Sequence, residues 1–197
     1  MHCTPLYQLI IKLFKKIEIM ENITKWVVDS SHSEILFKVK HLMITNVKGE
    51  FRKFDIAVET EGNDFSTAKV KTTIDASSIF TNEEKRDGHL KSEDFFDVEN
   101  HKELVFESTS LKREDDDEFE MKGNLTIRGV KKEVKVEVEF GGLMTDPYGN
   151  EKAGFSIEAK INRKDWGLNW NAALEAGGVL VGEEVKIMAE IQLVKQG

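Results

Sequence analysis

Gly123-Asn-Leu-Thr-Ile-Arg-Gly-Val-Lys-Lys-Glu-Val-Lys-Val-Glu-Val-Glu-Phe140 is the stretch whose reading decides the fold. Val134, Val136, Val138 and Phe140 alternate with Glu133, Lys135, Glu137 and Glu139. A period of two puts the apolar set on one face of a strand and the charged set on the other. Met121, Leu125 and Ile127 alternate in the same way with Lys122, Asn124, Thr126 and Arg128. Between the two runs stands Gly129, which takes the positive φ that a tight reversal demands. The segment predicts a β-hairpin with one dry face.

The same alternation runs through most of the chain. Trp26 and Val28, then Ile35, Phe37 and Val39, then Val47, Gly49 and Phe51 each share a face. Phe54, Ile56 and Val58 follow one residue out of phase, which places a bulge or bend at Arg52-Lys53. Val70, Thr72 and Ile74 predict a shorter strand. Leu104, Phe106 and Ser108 predict another, followed by Phe155, Ile157, Ala159 and Ile161, and by Val185, Ile187, Ala189, Ile191 and Leu193. Glu61-Gly-Asn-Asp64, the acidic run Glu114–Asp117 and Asp146–Asn150 read as turns. The acidic run lacks the spaced carboxylates and the glycine of a calcium loop, so it is a hairpin tip. About eight antiparallel strands result, with short helical insertions. Alternation alone leaves a sandwich and a closed barrel both open.

Two connections break the pattern. Thr81-Asn-Glu-Glu84 has the form of a capping box, with a short helix toward Gly88 or Leu90 and a second turn capped near Ser92. Leu90, Phe95 and Phe96 are too apolar for a solvated loop and should plug one end of the sheet. The stretch Asp165–Gly178 is expected to hold one helical turn ended by Gly177.

The chain has 197 residues, 40% of them apolar and 32% charged, enough for one domain with a substantial core. A formal charge of −8 argues against a nucleic-acid partner and against adsorption to an anionic membrane. The lone Cys3 excludes a disulfide framework. Residues 1–19 break the strand pattern. Lys12, Lys15 and Lys16 interrupt their apolar run, which is therefore neither an uninterrupted signal core nor a membrane span. Residues 1–19 are read as an extension or a false start before Met20, and 20–197 as the domain. The expected location is the cytoplasm, or the periplasm if residues 1–19 act as a degenerate signal.

The segments Asp29-Ser-Ser-His-Ser-Glu-Ile-Leu-Phe37, His41-Leu42 and Val47-Lys-Gly-Glu-Phe51 resemble the start of the YceI-like family, and Arg86-Asp-Gly-His-Leu90 and Asp94-Phe-Phe-Asp97 belong to its continuation. The resemblance continues through Ile79-Phe-Thr81, Gly123–Val130, Arg163-Lys-Asp-Trp-Gly167 and Gly182-Glu-Glu-Val185, in family order over roughly residues 26–194. Two departures stand out. Glu99-Asn-His-Lys-Glu103 has no proline where the family often does, and Met43 replaces a frequent glycine, which is expected to alter the bend and narrow one mouth. The resemblance implies an eight-stranded antiparallel lipocalin-like barrel holding an isoprenoid, a quinone or a fatty-acid-like lipid.

Within such a barrel the inward stripes name the expected ligand lining: Phe37, Val39, Phe51, Phe106, Leu125, Ile127, Val136, Val138, Phe155, Ile157, Ile187 and Ile191. Arg86, His89, Leu90, Phe95, Phe96, Arg163 and Trp166 are the expected rim and head-group residues, with Arg86 or His89 donating to the head group. No cofactor is expected, and the expected partner is a hydrophobic small molecule, without stable membrane insertion; a homodimer is left open. The five histidines match no short metal spacing. Asp29, His32 and Ser33 include the residue types of a hydrolytic triad. On one extended segment they would face different ways, and His32 is expected to tie the first strand to a neighbour. The expectation is a non-enzymatic binding protein. A filled barrel acting as a stress-related interaction module, or an enzyme on a lipophilic quinone, is the alternative.

Overall fold

The computed structural model describes residues 23–173 and 179–196. The expectations for residues 1–19, Met20, Cys3 and a helix end at Gly177 lie outside them. The strands are β1 (Ile23–Val28), β2 (Glu34–His41), β3 (Thr45–Phe51), β4 (Phe54–Glu61), β5 (Asp64–Asp75) and β6 (Ile79–Phe80). The others are β7 (Glu103–Arg113), β8 (Glu118–Ile127), β9 (Val130–Thr145), β10 (Glu151–Asn162) and β11 (Val181–Lys195). One helix, α1 (Glu84–Lys91), lies between β6 and β7.

Eleven segments fill eight positions around a closed antiparallel barrel, because three of the barrel strands are interrupted. β1 and β2 lie end to end along β11, with Val28 opposite Leu193 and Glu34 opposite Glu190. β3 and β4 lie end to end along that composite strand, and β6 and β5 along the next. Every neighbour is then consecutive in the chain, and the β1–β11 pairing removes the free edge.

Each interruption satisfies its backbone locally. At Asp29–Ser33 the Ser33 hydroxyl accepts from the Gln192 amide at 2.9 Å, standing in for a ladder partner. The expected bend at Arg52-Lys53 is present between β3 and β4. Across it, the Arg52 amide donates to the Ser78 carbonyl and the Asp75 amide to the Lys53 carbonyl. The neighbouring strand breaks at the same level, where Ala76–Ser78 form a 3-10 turn held by the Asp75 carboxylate on the Ser77 amide and hydroxyl. The aligned breaks carry β6 along β3 and away from β7, which pairs with β5 and β8. Residues 81–102, with α1, occupy the gap.

The hairpin read first forms as expected. Ile127 pairs with Val130 across a two-residue turn in which both Arg128 (φ 50) and Gly129 (φ 73) are left-handed. The opposite end of the barrel is closed by Trp26, Phe65, Phe140 and Phe155, whose neighbouring ring centroids lie 5.0–5.3 Å apart. Trp26 is fully buried, and its indole N–H donates to Thr60 Oγ1 at 3.0 Å. Among the described residues no helix is long and apolar enough to cross a membrane.

Two local expectations need correction. Thr81 does not cap α1: the N-cap is Glu83, whose carboxylate accepts from the Lys85 and Arg86 amides. Thr81 instead gives its amide and hydroxyl to the buried Asp87 carboxylate at 2.8 and 2.5 Å. A 3-10 turn also follows β10, at Arg163–Trp166, and left-handed Gly167 (φ 75) closes it. His32 does not bridge strands: its ring is exposed and bonded to Asp29 and Ser31 in its own turn.

Candidate functional site

The inward faces enclose an apolar lumen in two chambers. The upper one, about 430 Å³, lies under the α1 connection, and the deeper one is about 170 Å³. Ile74, Leu125, Ile161 and Ile187 line both and form the constriction between them. The upper volume is in the usual range for sites that take a drug-sized ligand. The deeper chamber is lined by apolar side chains and Thr72, with no charged residue among the described ones.

Two glycines hold the walls apart. Phe37 faces Gly49 across β2 and β3, and the Phe37 ring lies where a Cβ on Gly49 would stand. The Phe106 ring likewise covers Gly123 on β8. Each ring lies flat in the wall because its neighbour has no side chain, so the lumen stays hollow beside it.

Phe37, Val39, Phe51, Leu125, Ile127 and Ile187 line the upper chamber. Phe106, Val136, Val138, Phe155, Ile157 and Ile191 line the deeper one, with Leu125 and Ile187 shared. Of the rim set, Arg86, His89, Leu90, Phe95, Phe96 and Arg163 line the upper chamber. Trp166 does not. It is buried behind β8, where its indole N–H donates to the Leu125 carbonyl at 3.0 Å. Met43, expected to narrow a mouth, is exposed at a turn and lines neither chamber.

The mouth is basic. Lys40, His41, Lys85, Arg86, His89 and Arg163 line the upper chamber together, and among the described residues no Asp or Glu lines it. Lys40 and Lys85 are also exposed, so the chamber reaches water between the β2–β3 hairpin and the first turn of α1. These groups are not equally free. Arg163 is buried, and its guanidinium donates to the carbonyls of Gly182 at 2.8 Å, Val181 at 3.4 Å and Leu168. Burial pushes its pKa down, opposed by the Glu183 charge. It ties the β10–β11 connection together and is not a free donor. Arg86 donates Nε to Thr81 Oγ1 at 2.7 Å and Nη2 to the Thr81 carbonyl at 2.8 Å. His89 Nε2 lies 2.9 Å from Asp94 Oδ2, and its ring packs edge-on against Phe95 and Trp170. Lys40 and Lys85 have no ion pair among the described residues.

Sequence reasoning missed Lys40, His41, Lys85, Leu168, Trp170, Leu180 and Val181 as lining residues. Lys40 and Lys85 read as solvated charges, and only the closure of the hairpin toward α1 puts them beside an apolar hollow. Trp170 carried a usable signal, as a second tryptophan, after Trp166, in a connection that breaks the strand pattern.

The hydrolytic arrangement considered for the first strand fails for a different reason than spacing implied. The segment turns, so Asp29, Ser31 and His32 do converge, while Ser33 bonds to Gln192. His32 Nδ1, however, faces both Ser31 Oγ and Asp29 Oδ2 at 3.0 Å. A relay needs one ring nitrogen on each partner. The Ser31 hydroxyl holds the Asp29 carboxylate well below its usual range, with Lys152 Nζ, 2.9 Å from Oδ2, adding to the effect. This cluster anchors the interrupted strand to β10.

The YceI-like domain model matches residues 26–193. A UPF0312 protein of Staphylococcus aureus strain N315 is 43% identical over 170 residues, covering 86% of this chain and 96% of that one. The crystal structure of Campylobacter jejuni YceI protein matches with a TM-score of 0.70 at 29% identity, over 81% of this chain and 91% of that one. A polyisoprenoid binding domain from Saccharophagus degradans, implicated in plant cell wall breakdown, matches with a TM-score of 0.66 at 12% identity. That likeness covers 87% of this chain and 98% of that one and is one of fold. With the domain match spanning nearly the whole barrel, the chain belongs to the YceI-like family.

Proposed function

We propose that this protein binds, without transforming it, a long-chain isoprenoid or similar single-tailed amphiphile, with the tail in the lumen and the head group at the basic mouth. The observation that carries this reading is the pairing of two apolar chambers in line with a rim that, among the described residues, is basic and lined by no carboxylate. Tail burial supplies the affinity, at about 0.8 kcal/mol for each CH₂ that leaves water. The head group must stay where water or a protein donor satisfies it. Lys40 and Lys85, exposed at the opening, are the donors whose charge is not already committed.

The polyisoprenoid binding domain among the structural relatives supports the same ligand class. The absence of charged side chains from the deeper chamber supports binding over chemistry, since among the described residues no acid or base faces a tail lying there. Identity of the lipid and any delivery role are part of the proposal.

The test is a titration of the purified protein with geraniol and geranylgeraniol, repeated on Ala159→Phe. Ala159 lies at the level of the constriction, paired with Ile187 and Val136, and faces the deeper chamber. Filling that space should leave geraniol binding intact and weaken geranylgeraniol selectively. Absence of binding by either alcohol to the unmodified protein refutes the reading.

A further inference from the structure

The β2–β3 hairpin ends in Leu42-Met43-Ile44, whose side chains are 38, 56 and 75% exposed. Leu42 (φ 51) and Met43 (φ 61) are both left-handed, and the Ile44 amide donates to the His41 carbonyl at 3.2 Å. His41 pairs with Thr45 across this three-residue loop, whose two left-handed positions are ones that Asn and Gly fill without strain. Here they are filled by two bulky apolar residues, with a third beside them in water. Among the described residues, neither the strain nor the exposure is repaid by packing within the barrel. The turn is held in place by the Leu42 amide on the Leu180 carbonyl at 2.9 Å, and the adjoining Lys40, His41, Leu180 and Val181 line the upper chamber.

The charge around this tip is opposite to that of the chain. From Lys38 to Lys48 there are three lysines and no carboxylate, in a protein of formal charge −8. Lys38 stands directly opposite Lys48, and Lys40 opposite Asn46. Like charges paired across two strands destabilise a hairpin unless something outside it answers them. None of the three has an ion pair among the described residues, whereas the adjacent Lys186 is paired with Glu158 at 2.5 Å. At the other end of the barrel Met144 and Tyr148 are also exposed, but Asp146 and Glu151 flank them.

We propose that the β2–β3 hairpin docks reversibly on an anionic lipid bilayer, with Leu42, Met43 and Ile44 entering the interface and Lys38, Lys40 and Lys48 meeting the head groups. Apolar side chains ringed by lysines are the chemistry that such a surface selects. Docking there sets the chamber mouth at head-group level, so a tail passes between bilayer and lumen without crossing water. The net charge, which argues against membrane adsorption, misses a local patch of the other sign within reach of the surface.

Cosedimentation of the full chain with vesicles tests this, using phosphatidylcholine alone and phosphatidylcholine mixed with phosphatidylglycerol. The protein should pellet with the mixed vesicles and not with the neutral ones, and added salt should release it. Lys40→Gln with Lys48→Gln should weaken binding roughly fivefold per lysine. Met43→Ser with Ile44→Ser should weaken it at every salt concentration, and Met144→Ser should not. Met43→Gly should raise the melting temperature, by relieving strain, while still losing vesicle binding. Ala159→Phe, with its lumen shortened, should dock like the unmodified protein, which separates this proposal from the ligand reading. Equal pelleting of the tip variant and the unmodified chain overturns the proposal. So does a tip variant that binds vesicles normally but turns a dimer into a monomer by ultracentrifugation, which would make a second copy the occupant.

Discussion

Leu125→Ala should join the two chambers at modest cost. Leu125 is buried, yet its side chain lines a hollow above and a hollow below. Truncation to Ala removes about three carbons, a transfer loss of about 2.4 kcal/mol at 0.8 kcal/mol each. The further penalty of about 24 cal/mol per Å³ applies to newly created void. Here much of the surrounding void already exists, so the total should stay at about 2.5 kcal/mol, at the low end for buried leucines. The Trp166 indole bond is to the Leu125 backbone carbonyl and survives the change. With the constriction widened, a long tail should settle further into the deeper chamber and bury several more carbons. Three extra carbons are worth about 2.4 kcal/mol, or roughly fiftyfold in affinity. Urea denaturation measures the stability change, and displacement titrations with geraniol and geranylgeraniol measure the ratio of affinities. A loss of 4 kcal/mol or more, on the order expected of a tightly packed leucine, with no change in that ratio, would show the constriction to be solid core.

Other outcomes follow from the same geometry. Lys85→Ala should weaken a prenyl carboxylate or phosphate by about 1 kcal/mol, as expected for a partly screened charge, and leave the corresponding alcohol and the melting temperature unchanged. Arg86→Ala, by contrast, should lower the melting temperature, because Arg86 donates twice to Thr81; a differential scan distinguishes the two. Stability should also fall in acid. Hydrogen bonds hold the carboxyls of Asp29, Asp64 and Asp75 below their usual pKa, from Ser31, Ser66 and Ser77 respectively. A carboxyl depressed in the folded state stabilises it above the unfolded pKa of about 3.9 and loses that contribution as the pH drops through its folded value. Urea midpoints should be flat from neutrality to about pH 5 and decline below about pH 4. A midpoint that rises in that interval contradicts the assignment.

The barrel was legible to the extent that it is written in alternation. Val134, Val136 and Val138 announce an inward stripe, and the stripes on successive strands assemble into one lumen because each residue's partner is set by short hairpins. Closure was not legible from pattern, since a sandwich alternates too. What decides it is that β1 and β2 share one edge of β11, and Ser33 reaching Gln192 across 159 positions is invisible to any local window. Polar side chains were read least well. Thr81 answers Asp87 rather than Glu84, and Arg163 answers three carbonyls rather than a ligand, because a connection's hydrogen bonds depend on which backbone groups the fold leaves unpaired. Trp166 illustrates the same limit, as its exposure to the chamber depended on which side of β8 the 3-10 turn came to lie. Hollowness itself rests on Gly49 and Gly123, which looked like gaps in the stripes and turn out to seat Phe37 and Phe106.

Mass spectrometry of organic extracts from the natively purified full chain tests the central claim most directly. A hollow lumen with a basic mouth predicts a single-tailed amphiphile, isoprenoid or of similar chain, recovered in near-stoichiometric amount and lost from a variant carrying Ala159→Phe. Extracts empty of any such lipid, from protein that also takes up no geranylgeraniol when it is supplied, would contradict it.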